Sequence, residues 1–211
     1  MKIGLLFDLD GTIIESEEIK ATCHCNAVKH YRGVIDKQFY ENCIGNSFKY
    51  VALSFLKEAH LNVPFEDYKS LFNKFYQEEI KTITQPIDGF YDFLKSLDRG
   101  KVKVGLVTSS ERWMVTEILT NLNIIDSFDI IVAKNDVKHE KPSPEPYLKA
   151  KQGLDVGKSF VFEDTTAGFL SARGITEFVY GIKHKYNLKQ DFTLVKDTYT
   201  DYWQIPGTLI E

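Results

Sequence analysis

Five short apolar runs decide what this 211-residue chain can become: residues 2–7 (KIGLLF), 102–107 (VKVGLV), 128–133 (FDIIVA), 159–162 (SFVF) and 177–180 (EFVY). They are nearly continuous rather than alternating, which suits strands covered on both faces, the usual condition of a parallel sheet. The segments between them repeat at helical spacing. Phe90, Phe93, Leu94 and Leu97 give one apolar stripe, and Trp113, Val115, Ile118, Leu119 and Leu122 give another. Strands alternating with helices predict an α/β fold, a doubly wound parallel sheet with helices on both faces.

One interval breaks this rhythm. Phe7 and Val102 stand 95 positions apart, and the gap carries three more helical stripes. These are Ile19, Cys23, Ala27, Val28 and Tyr31; then Val51, Phe55, Leu56 and Ala59; then Leu71, Phe72, Phe75, Tyr76 and Ile80. Pro86 and Gly89 punctuate its end. The expected organisation is a sheet domain of residues 1–15 and 85–211, interrupted after its first strand by a helical cap of residues 16–84. A chain of this length accommodates one domain with a sizeable insertion. The segment 197–211, with Tyr199, Tyr202 and Trp203, matches no motif.

Composition narrows the function classes. A net charge of −4 and a pI of about 5.8 argue against a nucleic-acid-coating protein, which shows a basic face. The short basic stretch Lys183, His184 and Lys185 reads as a solvated loop. No apolar run reaches the roughly 20 residues of a membrane span, and the opening residues are too few for a secretion signal. A cytoplasmic protein is therefore expected, and, with no segment marked for a further interaction, a monomer. The odd count of cysteines (Cys23, Cys25 and Cys43) predicts reduced thiols. Cys23–His24–Cys25 is not a zinc pair, because positions two apart on a helix point about 200° from each other.

Chemistry gathers where the strands stop. Asp8 and Asp10 follow the first run, Thr108, Ser109 and Ser110 the second, Lys141 lies beyond the third, and Glu163 and Asp164 follow the fourth. In open α/β sheets, ligands bind beyond these carboxyl ends. Asp8 and Asp10, two apart in extended chain, point to one side. Paired carboxylates repel unless a shared proton or a cation offsets them. A divalent ion bound through oxygen is the simple solution, and Mg²⁺ characteristically takes one or two carboxylates plus phosphate and water. The amides following Thr108 suit an anion, and Lys141, followed by Pro142, suits a phosphate. Each feature alone is an ordinary strand end or helix cap; their order and placement together are not.

That order, FDLDGT, LVTSS, KPSPEPY and FEDTTAG, strongly resembles the haloacid dehalogenase superfamily, in its phosphatase and β-phosphoglucomutase-like branch with a helical cap. The resemblance implies a Rossmann-like core and a Mg²⁺-dependent phosphatase acting on a small phosphorylated metabolite. It implies Asp8 as nucleophile, with an aspartyl-phosphate intermediate, and Asp10 as general acid and base. Thr108 and Lys141 would serve catalysis and, with Ser109 and Ser110, bind the phosphoryl group. Asp8, Asp10 and Asp164 would hold the metal, with Glu163 acting mostly through water. Where mutases of the family carry a His ten positions after the second Asp and an Arg after the Gly-x-Ser turn, this chain has Lys20 and Phe48. Hydrolysis is thus the primary expectation. A sugar-phosphate mutase and a phospholigand-binding protein without turnover are the alternatives.

Overall fold

The first apolar run becomes an inner strand of the sheet. In the computed structural model, which describes residues 2–210, six strands pair in parallel throughout: β1 (Ile3–Phe7), β2 (Val102–Val107), β3 (Ile130–Val132), β4 (Lys158–Glu163), β5 (Val179–Ile182) and β6 (Asp197–Tyr199). Their order is β3-β2-β1-β4-β5-β6. The chain steps outward from β1 through β2 and β3, then returns to the other side of β1 with β4. That reversal opens a crevice between the carboxyl ends of β1 and β4, where α/β sheets bind ligands.

The helices are α1 (Glu17–His30), α2 (Phe48–Glu58), α3 (Phe65–Glu79), α4 (Phe90–Ser96), α5 (Arg112–Asn121), α6 (Glu145–Leu154) and α7 (Thr166–Arg173). Neighbouring strand residues point to opposite faces, and β1 is clothed on both. Leu6 joins Tyr147, Ala150 and Leu154 of α6 and Phe169 and Ala172 of α7 in one core cluster. Phe7 turns the other way, stacks on Phe162 at 5.1 Å and meets Phe90 edge-on at 5.6 Å. Each such side chain, fully buried, contributes roughly 1.5–3 kcal/mol. Side-chain oxygens start two of the helices: Ser47 accepts from the Tyr50 amide and Thr165 from the Gly168 amide.

The chain divides into two compact units, Met1–Glu15 with Thr84–Glu211 and, separately, Ser16–Ile83. The second unit is helical and has its own core of Ala27, Val28, Val51, Phe55, Leu56 and Tyr68. The three cysteines are free thiols, Cys23 and Cys43 buried. At the centre of this unit lies His24, 2% exposed. Its ring sits 4.4 Å from that of Phe72 and 4.7 Å from that of Phe55, and its Nδ1 lies 2.9 Å from the Tyr68 hydroxyl. Burial, helped by Lys20, lowers its pKa to about 3. The unfolded chain, with an ordinary histidine near 6.5, therefore binds more protons between these two values than the folded one. Stability is full above that window and falls as acid is added, by about 1.4 kcal/mol per pH unit. The thermal midpoint is expected to drop steeply from pH 6 to pH 4, and His24→Leu should flatten that slope. An unchanged slope in the variant would show that other groups drive acid unfolding.

Two features lie outside the sequence expectation. Strand β6 extends the sheet edge beside β5. Beyond it, Tyr202 packs on Phe7 and Phe90, and its hydroxyl donates to the Thr12 carbonyl oxygen at 3.0 Å. Among the described residues, no helix is long and apolar enough to cross a membrane.

Candidate active site

Parallel register delivers the polar groups to one edge. Phe7 is level with Leu106 of β2 and Phe162 of β4, so Asp8, Val107 and Glu163 stand at matching heights. The Asp8 amide continues the ladder by donating to the Phe162 carbonyl oxygen at 3.0 Å, and the Thr108 amide does so to Val132 at 2.9 Å. Beyond Asp8 the chain folds into a tight turn, with the Ile13 and Ile14 amides both donating to the Leu9 carbonyl oxygen. Gly11 makes the turn possible. Its φ is +78°, and a Cβ there would lie 2.3 Å from Asp164 Oδ2, so both backbone and space demand glycine.

Lys141 ties the strand ends together. Its ammonium donates to Asp8 Oδ1 at 2.6 Å, to Glu163 Oε1 at 2.5 Å and to the Val107 carbonyl oxygen at 3.0 Å. All three of its N–H bonds are thereby used. Burial would lower its pKa, but Asp8 and Glu163 outweigh burial and hold it well above the usual lysine range. Glu163 is fully buried and accepts from five groups. Lys141 and the Tyr147 hydroxyl reach Oε1, while the Asp164 amide, the Thr165 amide and the Thr165 hydroxyl reach Oε2. Gly168 permits this packing, since a Cβ there would fall 1.9 Å from the Glu163 carboxyl carbon.

Asp10 meets the loop that follows β2. The Ser110 hydroxyl donates to its Oδ2 at 2.6 Å, and the Ser110 amide donates to Thr108 Oγ1 at 3.0 Å. Thr108 is buried and Ser109 exposed. Helix α5 starts only at Arg112, so the residues from Ser109 to Glu111 form a loop between strand and helix. Asp164, 2% exposed, lies beside the Gly11 turn.

The balance of charge is negative. Asp8, Asp10, Glu163 and Asp164 gather at the strand ends, and Lys141 bridges two of them, Asp8 and Glu163. Burial raises the Asp8 carboxyl well above the usual carboxylate range; Lys141 opposes this, and Glu163, Asp164 and Asp10 reinforce it. A divalent cation would relieve that excess. Among the described residues, no group of three or more His, Cys, Asp or Glu side chains is gathered to hold a metal by itself.

The sequence expectation missed His184. Read as part of a solvated loop, its side chain is only 9% exposed, and its Nε2 lies 3.1 Å from Asp164 Oδ2. Lys185 is exposed as expected. Position after β5 was the available signal, since the loop leaving a fifth parallel strand opens on the same edge as the others.

The chain is similar to known proteins in sequence and in fold. A family model described as haloacid dehalogenase-like hydrolase matches residues 5–180. The phosphorylated carbohydrates phosphatase of Thermotoga maritima is 27% identical over 191 residues, spanning 87% of each chain. Pyrophosphatase PpaX of Bacillus thuringiensis is 31% identical over 157 residues, 74% of this chain and 70% of that one. The crystal structure of β-phosphoglucomutase from Clostridium difficile superposes with a TM-score of 0.82 at 24% identity, covering 100% of this chain and 96% of the other.

Proposed function

The chain belongs to the haloacid dehalogenase-like hydrolase family, and from that premise we propose that it is a Mg²⁺-dependent phosphatase working through an aspartyl-phosphate on Asp8. Hydrolysis of phosphorylated compounds is the activity its relatives' names carry. The observation that supports the finer reading is the buried bridge from Lys141 to both Asp8 and Glu163. An ammonium held there orients the Asp8 carboxylate, and its charge lies beside the place where a phosphoryl group would be attacked.

In the first step an Asp8 carboxylate oxygen attacks phosphorus and the ester P–O bond breaks. The departing oxygen takes a proton from Asp10. In the second step Asp10 accepts a proton from water as that water attacks phosphorus, and the bond from Asp8 to phosphorus breaks to release inorganic phosphate. Thr108, Ser109, Ser110 and Lys141 bind the phosphoryl oxygens, where charge stabilisation carries most of the catalysis. Ser110 also holds Asp10 at 2.6 Å, which links phosphate binding to placement of the acid. Asp8 and Asp164 through their carboxylates, and Asp10 through its backbone carbonyl, would hold Mg²⁺, which would supply positive charge beside the phosphoryl oxygens. Glu163, its acceptor capacity filled by five donors, serves as the anchor of Lys141 and the Thr165 turn rather than as a ligand. The substrate is a small phosphate ester. The acids and Lys141 all belong to one unit.

Phosphate release from phosphosugars, phosphoglycolate, nucleotides, pyrophosphate and an aryl phosphate tests this reading. With Mg²⁺, release from the best substrate is expected to run at least about 100-fold faster than with chelator. Equal rates in chelator would refute the metal requirement. Isomerised phosphosugar without net phosphate release would establish a mutase instead.

A further inference from the structure

The loop after β5 closes on Asp164 through two side chains that no step of the reaction uses. Asn187 is fully buried. Its amide nitrogen donates to the Asp164 carbonyl oxygen at 3.0 Å and to the Ile182 carbonyl oxygen at 2.8 Å, and its Oδ1 accepts from the His184 amide at 2.9 Å. One side chain thus staples the end of β5, the loop and the Asp164 backbone together. The ring of His184 is oriented in turn. The Tyr186 amide donates to its Nδ1 at 3.3 Å, and an N–H can only donate, so Nδ1 carries no proton. The proton must therefore sit on Nε2, which donates to Asp164 Oδ2 at 3.1 Å. Both atoms pack against the Gly11 turn: a Cβ on Gly11 would lie 2.3 Å from Asp164 Oδ2 and 2.7 Å from His184 Nε2.

We infer that His184 is a positioning residue for Asp164, fixing the rotation of its carboxylate so that it presents a preformed oxygen ligand to the divalent cation; this rests on the metal-dependent reading above. The physical basis is rigidity. A carboxylate that rotates freely must be ordered when the ion arrives, whereas one held by a second group has already lost that freedom. Groups that hold metal ligands in this way are worth about 10–100-fold in metal affinity. Asn187 fixes the backbone of Asp164, and His184 fixes its side chain.

The test uses the full chain and Mn²⁺ as the probe, its binding followed by loss of the free-ion paramagnetic resonance signal. His184→Ala is expected to weaken Mn²⁺ binding about 10–100-fold and to raise the Mg²⁺ concentration for half-maximal turnover by a similar factor. The KM for the phosphate ester at saturating Mg²⁺, and the thermal midpoint in chelator, should stay near wild type. His184→Gln, which retains an N–H donor on a side chain of similar reach, should recover most of the binding. Leu188→Ala, at a position 73% exposed in the same loop, should change nothing.

Unchanged Mn²⁺ affinity in His184→Ala would overturn the inference while leaving the phosphatase reading intact. Loss of the thermal midpoint without loss of metal affinity would also overturn it, assigning His184 to stability alone. Should His184→Ala fail to fold, His184→Phe, which fills the space without a donor, decides: weakened Mn²⁺ binding that His184→Gln restores supports the role, and wild-type affinity in His184→Phe refutes it. A wild-type chain that binds no Mn²⁺ would refute the metal-dependent reading and this inference with it.

Discussion

Asp8→Asn is expected to lower turnover at least about 10⁴-fold while the protein stays folded, because the amide cannot form the acyl phosphate. The substitution keeps the side chain's shape and an oxygen to accept from Lys141, which now donates to Asp8 Oδ1 at 2.6 Å. It also removes one of four crowded acids, and the one whose ionisation burial opposes. The thermal midpoint in chelator should therefore lie within a few degrees of wild type. Rates on the best substrate, circular dichroism and acid-quenched labelling with a ³²P-ester are the measurements. Labelled protein should accumulate only where Asp8 is present. More than about 1% residual activity in the folded variant would remove Asp8 from the role of nucleophile, since loss of a residue of that kind costs several orders of magnitude.

Lys141→Met is the second large effect, and it acts on stability and activity together. Methionine fills the space of the aliphatic stem but leaves Asp8 and Glu163 facing each other without their shared ammonium. Breaking a buried pair by removing one partner costs about 3–5 kcal/mol. The pH dependence has a definite sign. In the variant, the Asp8 carboxyl, which burial raises above the usual carboxylate range, loses the Lys141 charge that opposes the rise, so the folded state binds the extra proton. Its stability is then greatest in acid and falls as pH rises through the carboxylate range. Denaturant unfolding in chelator should show a deficit relative to wild type that is small near pH 4 and full by pH 8. Turnover should fall about 10²–10³-fold, the cost of one group that stabilises transition-state charge. A deficit that does not grow with pH would mean that Lys141 does not offset the two carboxylates.

Much of the site was readable from the chain because each polar residue sits at a fixed distance from the end of its own strand. Asp8 follows Phe7 directly, Thr108 follows Val107, and Glu163 ends β4. Parallel pairing then does the rest, since register between β1, β2 and β4 is enough to bring those ends level. The helical stripes between Phe7 and Val102 were equally legible, being long enough for a period of 3.6 to stand out. Strand β6 was not, because three residues, Asp197–Tyr199, are too few to display a period of two.

What the amino-acid order determined by itself was local: which runs become strands, which become helices, and which residues stand at each strand's end. Periodicity and the stiffness of the backbone are enough for that. The tertiary structure alone decided the pairings across distance. It set Lys141 between Asp8 and Glu163, put the Ser110 hydroxyl on Asp10, brought Tyr202 to the Thr12 carbonyl and turned His184 from the solvated face its lysine neighbours suggest onto Asp164. Those contacts depend on strand order, which places β5 beside β4 and β4 beside β1. Strand order is settled by burial of both faces of the whole sheet at once, a property that no single segment contains.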